Sequence, residues 1–62
     1  MSLGEKLQRV RTNAGISVRT LAKDVGVSPS FIYQVERGQT APSLSTLKKI
    51  AEALNTQVSF FV

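Results

Sequence analysis

A chain of 62 residues has room for one domain and one small core. It contains neither cysteine nor histidine, which excludes disulfides and zinc clusters, so helix packing must supply the stability. Eight Lys and Arg against four Asp and Glu give a formal charge of +4, a surplus that favours polyanionic partners but also fits plain solubility.

Leu3, Leu7, Val10 and Ala14 recur at helical spacing and predict an amphipathic helix over residues 3–14. Gly4 sits in its first turn, where it costs little and admits a neighbouring backbone. Asn13-Ala14-Gly15 ends the helix, with Gly15 suited to a left-handed exit. Ser17 is placed to cap a second helix with Leu21, Ala22 and Val25 inward, closed by Gly26. Ser28-Pro29 opens a third, Ser28 as cap and Pro29 at the first helical position; its inward stripe is Ile32 and Val35, and Gly38 stops it. After a loop from Gln39 to Pro42, Ser43 caps a fourth helix in which Leu44, Leu47, Ile50, Ala51 and Leu54 follow the three-and-four spacing, with Asn55 as a left-handed exit. In the apolar end, Val58 and Phe61 are expected to fold back on the helices, leaving Phe60 and Val62 partly exposed. The expectation is a single all-α domain spanning residues 1–62, a compact bundle of four to five short helices.

Residues 17–36 carry the functional signal. Two short helices that cross steeply need a tight turn with a residue tolerant of positive φ, supplied by Gly26, and a small side chain where they approach, supplied by Ala22. Leu21, Val27, Ile32 and Val35 then fix the crossing by packing. The opposite face of the third helix holds Ser28, Ser30, Tyr33, Gln34 and Arg37. These are mostly hydrogen-bonding groups with one full charge, unlike the Lys/Glu mixture of a merely solvated face. Gln pairs bidentately with adenine, and hydroxyls reach base edges or phosphates. Taken by itself, the helix reads equally well as a polar surface without a partner.

Residues 3–58 resemble the phage repressor and Cro-type helix-turn-helix family, often called Xre-like. The resemblance rests on Leu3-Gly4, Leu7, Arg11, Gly15-Ile16-Ser17, Leu21-Ala22, Gly26-Val27-Ser28, Ile32 and Val35-Glu36-Arg37-Gly38. It continues through Pro42-Ser43, Leu47, Ile50-Ala51 and Leu54. It implies a lambda-repressor-like fold of four or five helices with the third in the DNA major groove. It further implies base contacts from Ser28, Ser30 and Gln34, with Tyr33 beside them, and phosphate contacts from Arg37, Gln39, Thr40 and Ser43. Pro29 stands where several relatives read a base with a polar side chain, and it has no donor to offer. Val18 stands where many relatives carry a phosphate-binding Gln, and Arg19 is the nearest replacement for that contact. Arg11 and Glu36 match a structural salt bridge between the first and third helices. The stretches Ser17–Ala22 and Ser28–Phe31 look most like the branch whose regulators carry a C-terminal cupin sensor domain.

The reading that follows is a sequence-specific, DNA-binding transcriptional regulator of the repressor type. It is expected to be cytoplasmic, to bind double-stranded DNA as a homodimer on a palindromic operator, and to require no cofactor or metal. Catalysis is not expected, because His and Cys are absent and the four acids show no pairing pattern. No apolar run approaches the ~20 residues of a membrane span, and the first residues do not read as a signal peptide. The rival reading is a protein-interaction module on the same fold, such as the antitoxin of a toxin–antitoxin pair. A third, a purely structural helical module, leaves the basic charge and the polar helix without a use.

Overall fold

Every α-helix of the chain starts at a serine. The computed structural model describes all 62 residues as α1 (Leu3–Asn13), α2 (Val18–Val25), α3 (Pro29–Glu36) and α4 (Leu44–Ala53), followed by a single 3-10 turn, Val58–Phe60. Ser2, Ser17, Ser28 and Ser43 each hold extended backbone, and each Oγ accepts the amide hydrogen of the residue three positions on. Such a cap satisfies one of the donors that a helix start leaves unpaired, at a gain of about 1 kcal/mol. Three of these caps follow from the sequence pattern. The fourth, Ser2, forms a reciprocal box with Glu5, whose carboxylate accepts the Ser2 amide at 3.0 Å. That amide first, and the Ser2 hydroxyl second, hold the Glu5 carboxyl below its ordinary value. At the other helix ends Gly15, Gly26 and Asn55 have positive φ, as expected, and so does Gly38.

The core draws on every α-helix: Leu7 from α1, Leu21 from α2, Ile32 and Val35 from α3 and Ile50 from α4 are its largest fully buried side chains. α2 packs on both α3 and α4, and α1 packs on α3. The chain end behaves as its pattern predicts, with Phe61 buried, Val58 packed against the core, and Phe60 and Val62 exposed. Phe61 stacks edge-on to Phe60 at 5.4 Å.

Two apolar residues of the helical spacing pattern lie outside the core. Ala14 is exposed, because the helix ends at Asn13 and periodicity no longer governs the residue after it. Leu44 is 60% exposed although it shares the angular face of Leu47. It is the first residue of α4, one turn before the first buried side chain, and helical spacing fixes angle without fixing depth along the axis. Val18 differs the other way: it is buried in the core, so α2 gains an apolar anchor in its first turn.

Gly4 decides how closely α1 approaches α3. A Cβ there would collide with the carbonyl oxygens of Glu36 and Val35, the latter at 2.5 Å, so the helices lie in backbone contact. Ala is intrinsically the better helix former by about 1 kcal/mol. Gly4→Ala is nevertheless expected to destabilise the domain by roughly 1–3 kcal/mol, because the added methyl overpacks a backbone that cannot yield. Urea melts of the two forms check this, and an unchanged or higher midpoint for Gly4→Ala would mean the helices are spaced more loosely.

Candidate nucleic-acid interface

The unit α2–turn–α3 is built as its residues require. Gly26, at φ 84°, ends α2 in the left-handed region, and the amides of Gly26 and Val27 both return to the Ala22 carbonyl, at 2.8 and 3.0 Å. Only two residues, Val27 and Ser28, then separate Gly26 from the start of α3. Ala22 and Ile32 are buried in the same core, with Val27 packed partly against it.

α3 is held from the other side by Arg11. Its Nε donates to Glu36 Oε2 at 2.6 Å and its second guanidinium nitrogen to Glu36 Oε1 at 3.1 Å, a bidentate pair whose side chains are only 11% and 5% exposed. The third nitrogen donates to the Ile16 carbonyl at 2.9 Å, in the turn between α1 and α2. One guanidinium therefore ties together α1, the α1–α2 turn and the end of α3. The hydrogen bonding to Glu36 raises the Arg11 pKa above its ordinary value, against the opposing pull of burial. The expected salt bridge is present, and the bond to Ile16 is an addition that sequence spacing does not signal.

With Ile32 and Val35 locked inward, positions 30, 33, 34 and 37 follow the i, i+3, i+4, i+7 rule on the opposite side. Ser30, Tyr33, Gln34 and Arg37 are all exposed, forming one stripe along α3. Ser28 lies at its head: its Oγ is taken as an acceptor by the Phe31 amide at 3.1 Å, leaving its own hydrogen to donate. Pro29 begins the helix. At the far end the Arg37 guanidinium lies over the Tyr33 ring, 5.6 Å from its centroid. This stacking was not anticipated, although the i, i+4 spacing of Tyr33 and Arg37 is its signal.

The remaining candidates surround this stripe in the chain. Gln39 and Thr40 are exposed in the loop after α3, with the Gln39 amide bonded to the Gln34 carbonyl at 2.9 Å. The Ser43 hydroxyl is consumed locally, accepting the Thr46 amide at 3.2 Å and donating to Thr46 Oγ1 at 3.0 Å. What Ser43 offers an anion is therefore the start of α4, where the amides of Leu44 and Ser45 precede the first intrahelical bond. Arg19 is exposed in the first turn of α2. None of α2, α3 and α4 has an acidic residue in its first turn, whereas α1 has Glu5.

A helix-turn-helix family pattern matches residues 7–61. The chain belongs to the helix-turn-helix family. It is 38% identical over 60 residues to SutR, a helix-turn-helix-type transcriptional regulator of Escherichia coli, covering 97% of this chain and 34% of that protein. It is 36% identical over 62 residues to the immunity repressor of Bacillus phage phi105, covering all of this chain and 43% of that protein. Among solved structures, SinR, the master regulator for biofilm formation captured in complex with DNA, is 32% identical with a TM-score of 0.87. That match covers 95% of each chain. The chain spans 22–51% of the length of the curated relatives it matches. The resemblance drawn from the sequence, to phage repressors and their all-helical fold, is thus borne out.

Arg11→Ala is expected to cost roughly 3–5 kcal/mol, since it strands the Glu36 carboxylate in a nearly buried site. A domain this small has little stability to spare, so partial unfolding at room temperature should follow. The measurement is a urea melt followed by circular dichroism, and an unchanged midpoint would show that Glu36 finds water without Arg11.

Proposed function

We propose that this chain is the DNA-binding domain of a transcriptional regulator and that α3 enters the major groove of its operator. The observation that carries the reading is the exposed stripe of Ser30, Tyr33, Gln34 and Arg37 on a helix immobilised by its other face. The match to a relative solved on DNA supports it. Ser28, Ser30, Tyr33 and Gln34 face base edges. Arg19, Arg37, Gln39, Thr40 and the start of α4 at Ser43 hold the phosphate backbone.

Electrostatics favours this division. A cation in the first turn of a helix opposes the helix dipole, so Arg19 sits where only an external anion compensates it. A phosphate there would also take the free amides of α2. One eight-residue helix touches too few base pairs for useful discrimination, so the domain works as one of two copies on a pseudo-palindromic site, with half-sites about one DNA turn apart. Phe60, Val62 and Leu44 are exposed apolar side chains available for contact between copies. No helix is long and apolar enough to cross a membrane, and a regulator acting on operator DNA would work in the cytoplasm. The cupin-linked branch rests on the sequence pattern alone. The alternative, a module that binds a toxin or other protein through the same face, leaves the acid-free helix starts without a purpose.

Titrations on a duplex selected from a random pool, and on a scrambled one, test the proposal. Gln34→Ala should cost about 1–3 kcal/mol on the selected duplex and little on the scrambled one, because a bidentate base contact depends on sequence. Arg19→Ala should weaken both about equally and lower the slope of log affinity against log salt by about one. If neither substitution alters binding, α3 is not the reading element and the protein-interaction alternative takes its place.

A further inference from the structure

Base pairs differ in what they require of a protein in the major groove. Guanine is read by an Arg or Lys reaching O6 and N7, cytosine by an Asp or Glu accepting from N4, and adenine by an Asn or Gln spanning N6 and N7. Thymine is read by apolar contact with its 5-methyl. The stripe on α3 can be sorted against these requirements. Positions 30, 33 and 34 hold Ser, Tyr and Gln, with no cation and no acid among them. The four acids of the chain are Glu5, Asp24, Glu36 and Glu52, all off the stripe. The one cation of the stripe, Arg37, is the C-cap of α3, and its guanidinium rests on the Tyr33 ring. Apart from Arg37, which is stacked on Tyr33 at the end of the helix, and the hydroxyls, which serve any base, the stripe holds no side chain specific for a G·C pair. It holds an adenine reader, Gln34, next to the aromatic residue Tyr33, which is 47% exposed.

We propose that α3 specifies A·T pairs: Gln34 pairs with adenine, and the Tyr33 ring packs on the 5-methyl of a neighbouring thymine. The inference rests on the reading of α3 as the groove-entering helix. Arg37 is a positioning residue in this arrangement. A cation over one ring face restrains the tyrosine along the helix and leaves the other face and edge for the methyl. The edge of a stacked guanidinium still points its N–H groups outward, so the same side chain remains available to a phosphate. Ser30 adds no choice of base, because a hydroxyl serves any of them.

The test starts from the full chain and selection of duplexes from a random pool. The base pairs enriched under α3 should be A·T. Replacing the specified thymine with deoxyuridine, which removes only the methyl, should then lower affinity about fourfold. The same penalty should persist in Tyr33→Phe and vanish in Tyr33→Ala. Arg37→Ala should shrink the thymine-to-deoxyuridine ratio as well as flatten the salt dependence, while Arg37→Lys, which keeps a cation over the ring, should preserve the ratio. Replacing the specified adenine with 7-deazaadenine should cost about tenfold in the unmodified chain and nothing further in Gln34→Ala. Tyr33, Gln34 and Arg37 lie outside the core, so these variants should keep the helical circular dichroism of the parent. Enrichment of G·C pairs under α3, or a deoxyuridine penalty undiminished in Tyr33→Ala, would overturn the inference while leaving DNA binding intact. Failure to enrich any sequence would remove the DNA reading itself, and this inference with it.

Discussion

The placement of α3 depends on the Arg11 guanidinium. An eight-residue helix has no stability of its own, and its angle in the domain is whatever its neighbours impose. Arg11 spans the two carboxylate oxygens of Glu36 at the end of α3 and the Ile16 carbonyl before α2, so both helices of the turn unit are referenced to one rigid plane on α1. Gly4, one turn before Leu7, lets the same helix reach the α3 backbone directly. A lysine could supply the charge but not the fork, and so could not hold two elements in register. The ion pair need not stabilise the fold more than an apolar pair would; its distinctive contribution is the fixed relation among three segments.

The same pair also shapes the electrostatic surface. Glu36 lies close to the stripe in sequence, yet its carboxylate is turned away beneath Arg11 and nearly removed from solvent. Glu5 is folded into the cap of α1, and Asp24 and Glu52 line a shallow depression with Lys49. What remains for the beginnings of α2, α3 and α4 is a set of serine caps, free amides and the cation Arg19, with Arg37 at the end of α3 and no first-turn acid to repel a phosphate. A net charge of +4 is unremarkable by its size; the position of the acids gives it direction.

Much of this was legible in the sequence because the domain is made from short, strongly punctuated helices. Serine, proline and glycine at element borders located the helices to within a residue or two, and the Ile32–Val35 pair oriented α3, which in turn exposed the stripe. What escaped has identifiable causes. Leu44 shares the core angle but precedes the core along the axis, and Ala14 lies past the end of its helix. Ser2 was hidden by its place at the chain start, although Ser2 and Glu5 have the spacing of a capping box. The Arg11–Ile16 bond and the Arg37–Tyr33 stacking depend on side-chain rotamers, which spacing permits but does not determine.

The division of α3 into two faces has a consequence for how such a domain changes its preference. Ile32 and Val35 are two of the five largest fully buried side chains, so α3 is as central to the core as it is to the interface. In a body this small, altering either would release the crossing angle along with the stability. Ser30, Tyr33, Gln34 and Arg37 carry none of that burden, since all four are exposed and none belongs to the core. Their replacement alters what is offered to a base pair while the frame that offers it stays intact. Ser28 is the exception, for its hydroxyl both caps α3 and heads the stripe, so a change there affects the helix and its reading together.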